Sequence, residues 1–227
     1  MRDSRRNFRP FLLLLLTLIM AASAAQAQVA KLLPVDEAAR DPGFFIFRAR
    51  LQEAVARHDT AAVLDAVDPN IRVGFGGKDG AAAFREKWKL QDGDKSPLWA
   101  ELGLVLALGG GFQSGGSFAA PYVFSRWPEA LDAFEHVAVL GSDVRIRAAP
   151  SVTSGILATL SFDVVRLSQI GRSKLTPAQL KEWTAVELKG GRTGYVASRY
   201  VRSSVGYRAL FNKVGGRWRM TAFVAGD

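Results

Sequence analysis

Between Ser142 and Arg202 the chain is cut into short apolar runs by turn residues. That punctuation calls for brief strands joined by tight turns rather than for helices. Val144 and Ile146, then Ile156, Leu157 and Leu160, form β-prone runs separated by Ala149-Pro150-Ser151 and Ser154-Gly155. Trp183 to Leu188 alternates apolar and polar residues, and Lys189-Gly190-Gly191-Arg192 follows as a hairpin signal ahead of Thr193-Gly194-Tyr195-Val196. The chain contains no cysteine, which rules out a disulfide framework, a thiolate nucleophile and a thiolate metal site. Whatever it folds into must be held by burial.

In order and spacing, the pieces Val144-Arg145-Ile146-Arg147-Ala148-Ala149-Pro150-Ser151, Trp183 to Leu188, and Gly194-Tyr195-Val196-Ala197-Ser198-Arg199-Tyr200-Val201 resemble a bacterial SH3 (SH3b) domain. The resemblance covers roughly 60 of 227 residues. It departs from the family at Ala149, where a glycine usually precedes the proline, and at Tyr195, which stands for a tryptophan. Ser168 to Glu182 is an insertion, read as a short helix with Thr176 as N-cap and Pro177 in the first turn. The resemblance implies a small β-barrel over 136–204 that holds an extended ligand against aromatic side chains. Trp183, Tyr195 and Tyr200 are the matching aromatic positions, and Arg147, Arg192 and Arg199 are candidates for a polar rim.

Residues 1–27 read as an export leader. Arg2, Arg5, Arg6 and Arg9 precede the apolar run Phe11 to Met20, and Ala25-Gln26-Ala27 offers small residues for cleavage before Gln28. The general secretory route and the twin-arginine route are both open, the latter through Ser4-Arg5-Arg6-Asn7-Phe8. The apolar run is too short for a stable membrane span. A periplasmic or secreted protein is expected. Charge is unevenly spread: 28–135 carries 12 Lys+Arg against 15 Asp+Glu, and 136–227 carries 14 against 5. Export argues against nucleic acid as the partner of the basic half and for peptidoglycan carboxylates or an envelope protein.

The N-terminal part, 28–135, reads as a mixed α+β domain. Phe44, Phe47, Leu51, Ala54 and Val55 fall at helical spacing, and Asp59 or Thr60 caps a second helix stopped by Pro69. Ile71, Val73 and Phe75 alternate as a strand. A third helix, from Asp79, carries Phe84 and Trp88, and a fourth starts at Ser96-Pro97 and stops at Gly109. Gly109 to Gly116 lacks the flanking strand, helix and Lys-Ser/Thr pair of a phosphate loop and reads as a flexible turn. Phe118 to Trp127 suits an edge strand or an interdomain contact, and Pro128 to Glu135 a short helix. Ala54 to Trp88 and the ending Gly216 to Phe223 resemble NTF2-like domains, which implies as an alternative a pocket for a small molecule with an Asp or His base.

No catalytic residue, metal set or cofactor site stands out. His58 and His136 are the only histidines and lie far apart, His58 fitting the end of the first helix and His136 the start of a strand. Asp65, Asp68 or Glu86 would serve as a base only inside a pocket that raised its pKa. The final segment, 205–227, reads as a hairpin turning at Gly215-Gly216. Its register sets Phe211 opposite Met220, Ala209 opposite Ala222 and Tyr207 opposite Val224. Its apolar face needs a partner. Docking on the N-terminal sheet would leave the 136–204 unit inserted between two parts of that domain, and an extra ribbon on the barrel is the alternative. The expected protein is a non-catalytic envelope binding module.

Overall fold

Residues 30–226 are described by a computed structural model, and the expected leader lies outside them. The fold is α+β, with two separate sheets. After a lead-in from Ala30 to Asp41, α1 (Pro42–Ala56) starts where the Asp41 carboxylate accepts the Phe44 N–H at 2.8 Å and proline fills the first turn. Asp59 caps α2 (Thr60–Ala66) in the same way, through the Ala62 N–H. The chain continues through β1 (Val67–Arg72), α3 (Ala81–Lys87), α4 (Leu98–Ala107), β2 (Gly111–Phe112), β3 (Phe118–Ala120) and α5 (Tyr122–Ser125).

It then builds the second sheet from β4 (His136–Val139), β5 (Val144–Arg147), β6 (Ile156–Leu160) and β7 (Val164–Leu167). The insertion follows as α6 (Gln169–Arg172) and α7 (Pro177–Glu182), and β8 (Trp183–Leu188), β9 (Arg192–Ala197) and β10 (Val201–Arg202) complete the unit. The last elements are β11 (Arg208–Val214) and β12 (Arg217–Val224), which return to the first sheet.

That first sheet has the order β1-β12-β11-β3-β2, so the closing hairpin supplies two of its three interior strands. Gly215 and Gly216 take φ of 56° and 78°, the positive values a two-residue hairpin turn needs. The register matches expectation through Phe211 opposite Met220 and then shifts, so that Ala209 faces Phe223 rather than Ala222, and Arg208 rather than Tyr207 faces Val224. Thr221 is the extra residue. Its hydroxyl accepts from Asn212 Nδ2 at 2.6 Å and donates to the Leu210 carbonyl at 3.3 Å. A bulge reverses the alternation, which lets Trp218, Met220 and Phe223 all enter one core.

Helices α1, α3 and α4 contribute to that core together with the sheet. Phe44 is fully buried, with ring centroids 4.2 Å from Phe118, 4.9 Å from Trp218 and 5.4 Å from Phe211. A second aromatic group joins Trp88 to Phe223 at 5.0 Å and to Tyr207 at 4.8 Å. Aromatic side chains bury the most area per residue, so this half carries the larger store of hydrophobic stabilisation.

Several local expectations change in the fold. β1 begins at Val67 and contains Pro69, where the sequence pattern placed a strand over Ile71 to Phe75. β1 is an edge strand, and an edge tolerates a residue with no N–H. Asp79 does not cap α3. It accepts the Val73 N–H at 2.9 Å, and Gly80 precedes the helix. β3 is interior rather than an edge strand. The glycine-rich segment forms β2 and a turn to β3, and a Cβ on Gly110 would lie 2.2 Å from the Ala119 carbonyl oxygen. Pro128 to Glu135 forms turns and no helix, because the Asp132 side chain accepts the Phe134 and Glu135 N–H groups.

The second sheet has the order β10-β4-β7-β8-β9-β5-β6, with every pairing antiparallel. This order is open, with β10 and β6 at its ends, and does not close the expected barrel ring. Its core is aliphatic and smaller: Val137, Val139, Val144, Ile146, Val165, Val186 and Val196.

The lead-in joins the two halves. Ala30 accepts the Val164 N–H and Leu32 donates to Phe162 on one side, and Glu37 donates to Gly110 on the other. Leu32 is buried with Tyr122, Val123, Ala138 and Val164 between the sheets. Arg48 holds Asp36 by two bonds of 2.7 Å each. Burial pushes the Asp36 carboxyl up, but Arg48 and the Ala38 N–H outweigh it and hold it below its ordinary value. Glu37 is lowered by the Phe112 N–H and by Arg126, and Asp41 by the Phe44 N–H and by Lys213.

Candidate functional site

β5 and β9 pair at a single position, Arg147 opposite Tyr195. Further along, the Leu140 N–H donates to the Tyr200 carbonyl at 2.9 Å. Between these two fixed points the chains part and leave a cleft of about 340 Å3. Its walls include Val144, Arg145 and Arg147 from β5, Trp183 from the start of β8, and Arg199 and Tyr200 from the turn after β9. Four of the six residues singled out from sequence, Trp183, Tyr200, Arg147 and Arg199, therefore meet in one place.

Each wall group is positioned by its own contacts. Arg147 donates through Nη1 to the Ser154 carbonyl at 2.7 Å, and Ser154 Oγ accepts the Ala149 N–H, so the loop after β5 is tied to the cleft wall. Ala149 does not take positive φ, so a non-glycine residue brings no backbone strain there. The Arg199 guanidinium lies 4.9 Å from the centre of the Tyr200 ring, a cation-π contact that leaves Tyr200 44% exposed. Asp143 is the single carboxylate on the rim. Among the described residues no carboxylate forms an ion pair with Arg145, Arg147 or Arg199.

The other two residues lie elsewhere. Tyr195 is 7% exposed and packs with Leu175, Trp183 and Ala185. Leu175 belongs to the insertion, which is docked firmly: Ser168 Oγ bonds Thr193 Oγ1 at 2.8 Å, and a Cβ on Gly171 would lie 2.8 Å from that of Ala185. Thr176 and Gln179 complete a capping box on α7. The segment from Ser168 to Glu182 thus turns the outer face of β8 and β9 into a second small core, which buries Tyr195 and Trp183 alike, and of the two Trp183 alone also borders the cleft. Arg192 is exposed and donates to the Leu157 carbonyl at 3.2 Å, bracing β6. Arg145 was not singled out from sequence. Its place in the alternation of β5, polar between buried Val144 and Ile146, was the available signal.

In the N-terminal half the described grooves are more open to solvent than this cleft. Phe44, Phe118, Phe211 and Trp218 pack together in the core of that half. Asp68 is its buried carboxylate, and it accepts the N–H of Asn70 at 2.8 Å as a local turn. A shallow groove of about 580 Å3 lies on the outside, between α1 and α4. There His58 contacts Asp94 at 3.0 Å and stacks on Trp99 at 5.0 Å. His136 opens β4 and contacts the Asp132 carbonyl at 2.9 Å. No group of three metal-ligating side chains occurs among the described residues, and no described helix is long and apolar enough to cross a membrane.

No protein-family model matches the chain, and no curated protein or solved structure is significantly similar to it.

Proposed function

We propose that this is an exported envelope protein that binds an extended peptide-like ligand, a peptidoglycan stem peptide or a partner protein's segment, in the cleft between β5 and the β9 turn. One observation carries the reading: a sheet pinned at both ends of a split, with Trp183 and Tyr200 beside three arginines that lack carboxylate partners. Aromatic walls with a cationic rim suit a chain that offers flat apolar area and negative charge. The SH3b resemblance of 142–202 and the leader-like 1–27 point to the same compartment and ligand class.

The test is co-sedimentation of the protein, without residues 1–27, with purified peptidoglycan sacculi. Binding should weaken as salt rises and fall on Tyr200→Ala with the unfolding midpoint unchanged. Sedimentation that is indifferent to Tyr200→Ala and Arg199→Gln would place the activity elsewhere. The α1–α4 groove favours a second reading, a small planar ligand stacked beside His58 and Trp99, which His58→Ala would abolish.

A further inference from the structure

We infer that the cleft recognises a free carboxylate at the end of a cell-wall stem peptide rather than the middle of a chain. This rests on the binding reading above and adds the chemistry that selects the ligand.

Arg145, Arg147 and Arg199 face one cleft from two elements, against one rim carboxylate, Asp143. Arg147 spends one N–H on the Ser154 carbonyl and Arg199 lies against Tyr200, so both heads are oriented without being neutralised. An oriented guanidinium lacking a carboxylate is a donor fork waiting for a planar anion, which it binds through two parallel N–H bonds. Beside them lie the exposed Tyr200 and Val152, with Ala197 and the edges of the buried Trp183 and Val144 behind. Such a surface takes the side chain and backbone leading to the anion.

The split ends at both sides in fixed backbone contacts, Arg147 with Tyr195 and Leu140 with Tyr200. A short chain end fits that closed outline better than a strand continuing through it. A bulky anion such as a lipid headgroup layer would meet the rim alone. The same fork would also take the carboxylate of a protein's C-terminus, so the stereochemistry of the last residues separates the two sources.

The experiment measures binding of short acetylated peptides ending in D-Ala-D-Ala, as the free acid and as the C-terminal amide, with an L-Ala-L-Ala pair beside them. The acid should bind roughly tenfold or more tightly than the amide, as expected for a charge-assisted pair. Arg199→Gln and Arg145→Gln should each shrink that ratio, and Arg147→Lys should lower it while keeping the charge. Equal affinity of acid and amide, with both weakened by Tyr200→Ala, would overturn the inference and leave the binding reading intact. An L-series preference would overturn the stem-peptide assignment in favour of a protein tail. If no peptide binds and sacculus binding ignores every cleft variant, both proposals fall together.

Discussion

The two sheets solve the same problem, burial without disulfides, with different side chains. The first packs Phe44, Phe84, Phe118, Phe211, Trp88 and Phe223 together between helices and strands. The second relies on valines and one isoleucine, with Trp183 and Tyr195 buried in a separate small cluster under Leu175, and Tyr200 is left exposed at the cleft. A large aromatic core can hold a sheet assembled from distant segments, whereas a thin aliphatic core tolerates a split in its strand pairing. The larger core lies in one half and the proposed binding cleft in the other.

The sharpest way to break that contrast is to remove β11 and β12 by truncation after Ser204. Because these strands connect β1 to β3, the first sheet loses its centre, and cooperative unfolding of that half should vanish in a denaturant titration. An undiminished transition would mean that the helices carry the fold alone.

Next in size is a pair of core truncations. Phe44→Ala should cost about 3–5 kcal/mol, and Val186→Ala in the second core about 2 kcal/mol, read as shifts in urea midpoint. Equal costs would erase the distinction between the cores. Tyr195→Ala belongs with this group. Tyr195 is buried under the insertion, so its loss should lower stability before it touches binding, opposite to Tyr200→Ala, which should change stability by no more than about 0.5 kcal/mol.

A smaller effect is expected from acid. Asp36, Glu37 and Asp41 all have lowered pKa values in the fold. Their contribution is present above the unfolded-state values of about 4 and is lost as pH falls through the depressed folded values. Stability should therefore drop below about pH 4. Arg48→Met should flatten that drop by removing the ion that lowers Asp36. A pH profile unchanged by Arg48→Met would show that the lead-in is held by its apolar contacts and backbone bonds, with Leu32 as the anchor.

Much of the secondary structure was legible locally. Asp59 and Thr176-Pro177 each start a helix because a side-chain oxygen satisfies a free N–H within three residues, and Asp41-Pro42 starts α1 in the same way, two residues ahead of Phe44, where the apolar spacing placed its beginning. The final hairpin was legible from its two glycines, and its register as far as Phe211 and Met220. The shift beyond them was not, because a bulge at Thr221 is stabilised across the ribbon by Asn212. Of the residues lining the candidate cleft, Trp183, Tyr200, Arg147 and Arg199 were singled out within the SH3b-like pieces, and Arg145 was not, because one exposed arginine in a strand looks like any other.

Sequence alone determined features whose partners lie a few residues away: the starts of α2 and α7, the turn at Gly215-Gly216, the alternation of β5, and the burial that a cysteine-free chain requires. Tertiary structure decided what depends on distant partners. It placed β12 beside β1 and β3 beside β11, set Leu175 over Tyr195, and left β5 and β9 joined at one residue pair with a cleft beyond it. The physical reason is range. A cap or a turn is a contest among neighbouring groups, whereas a cleft is the space left over after remote segments have packed, and no single segment carries its shape.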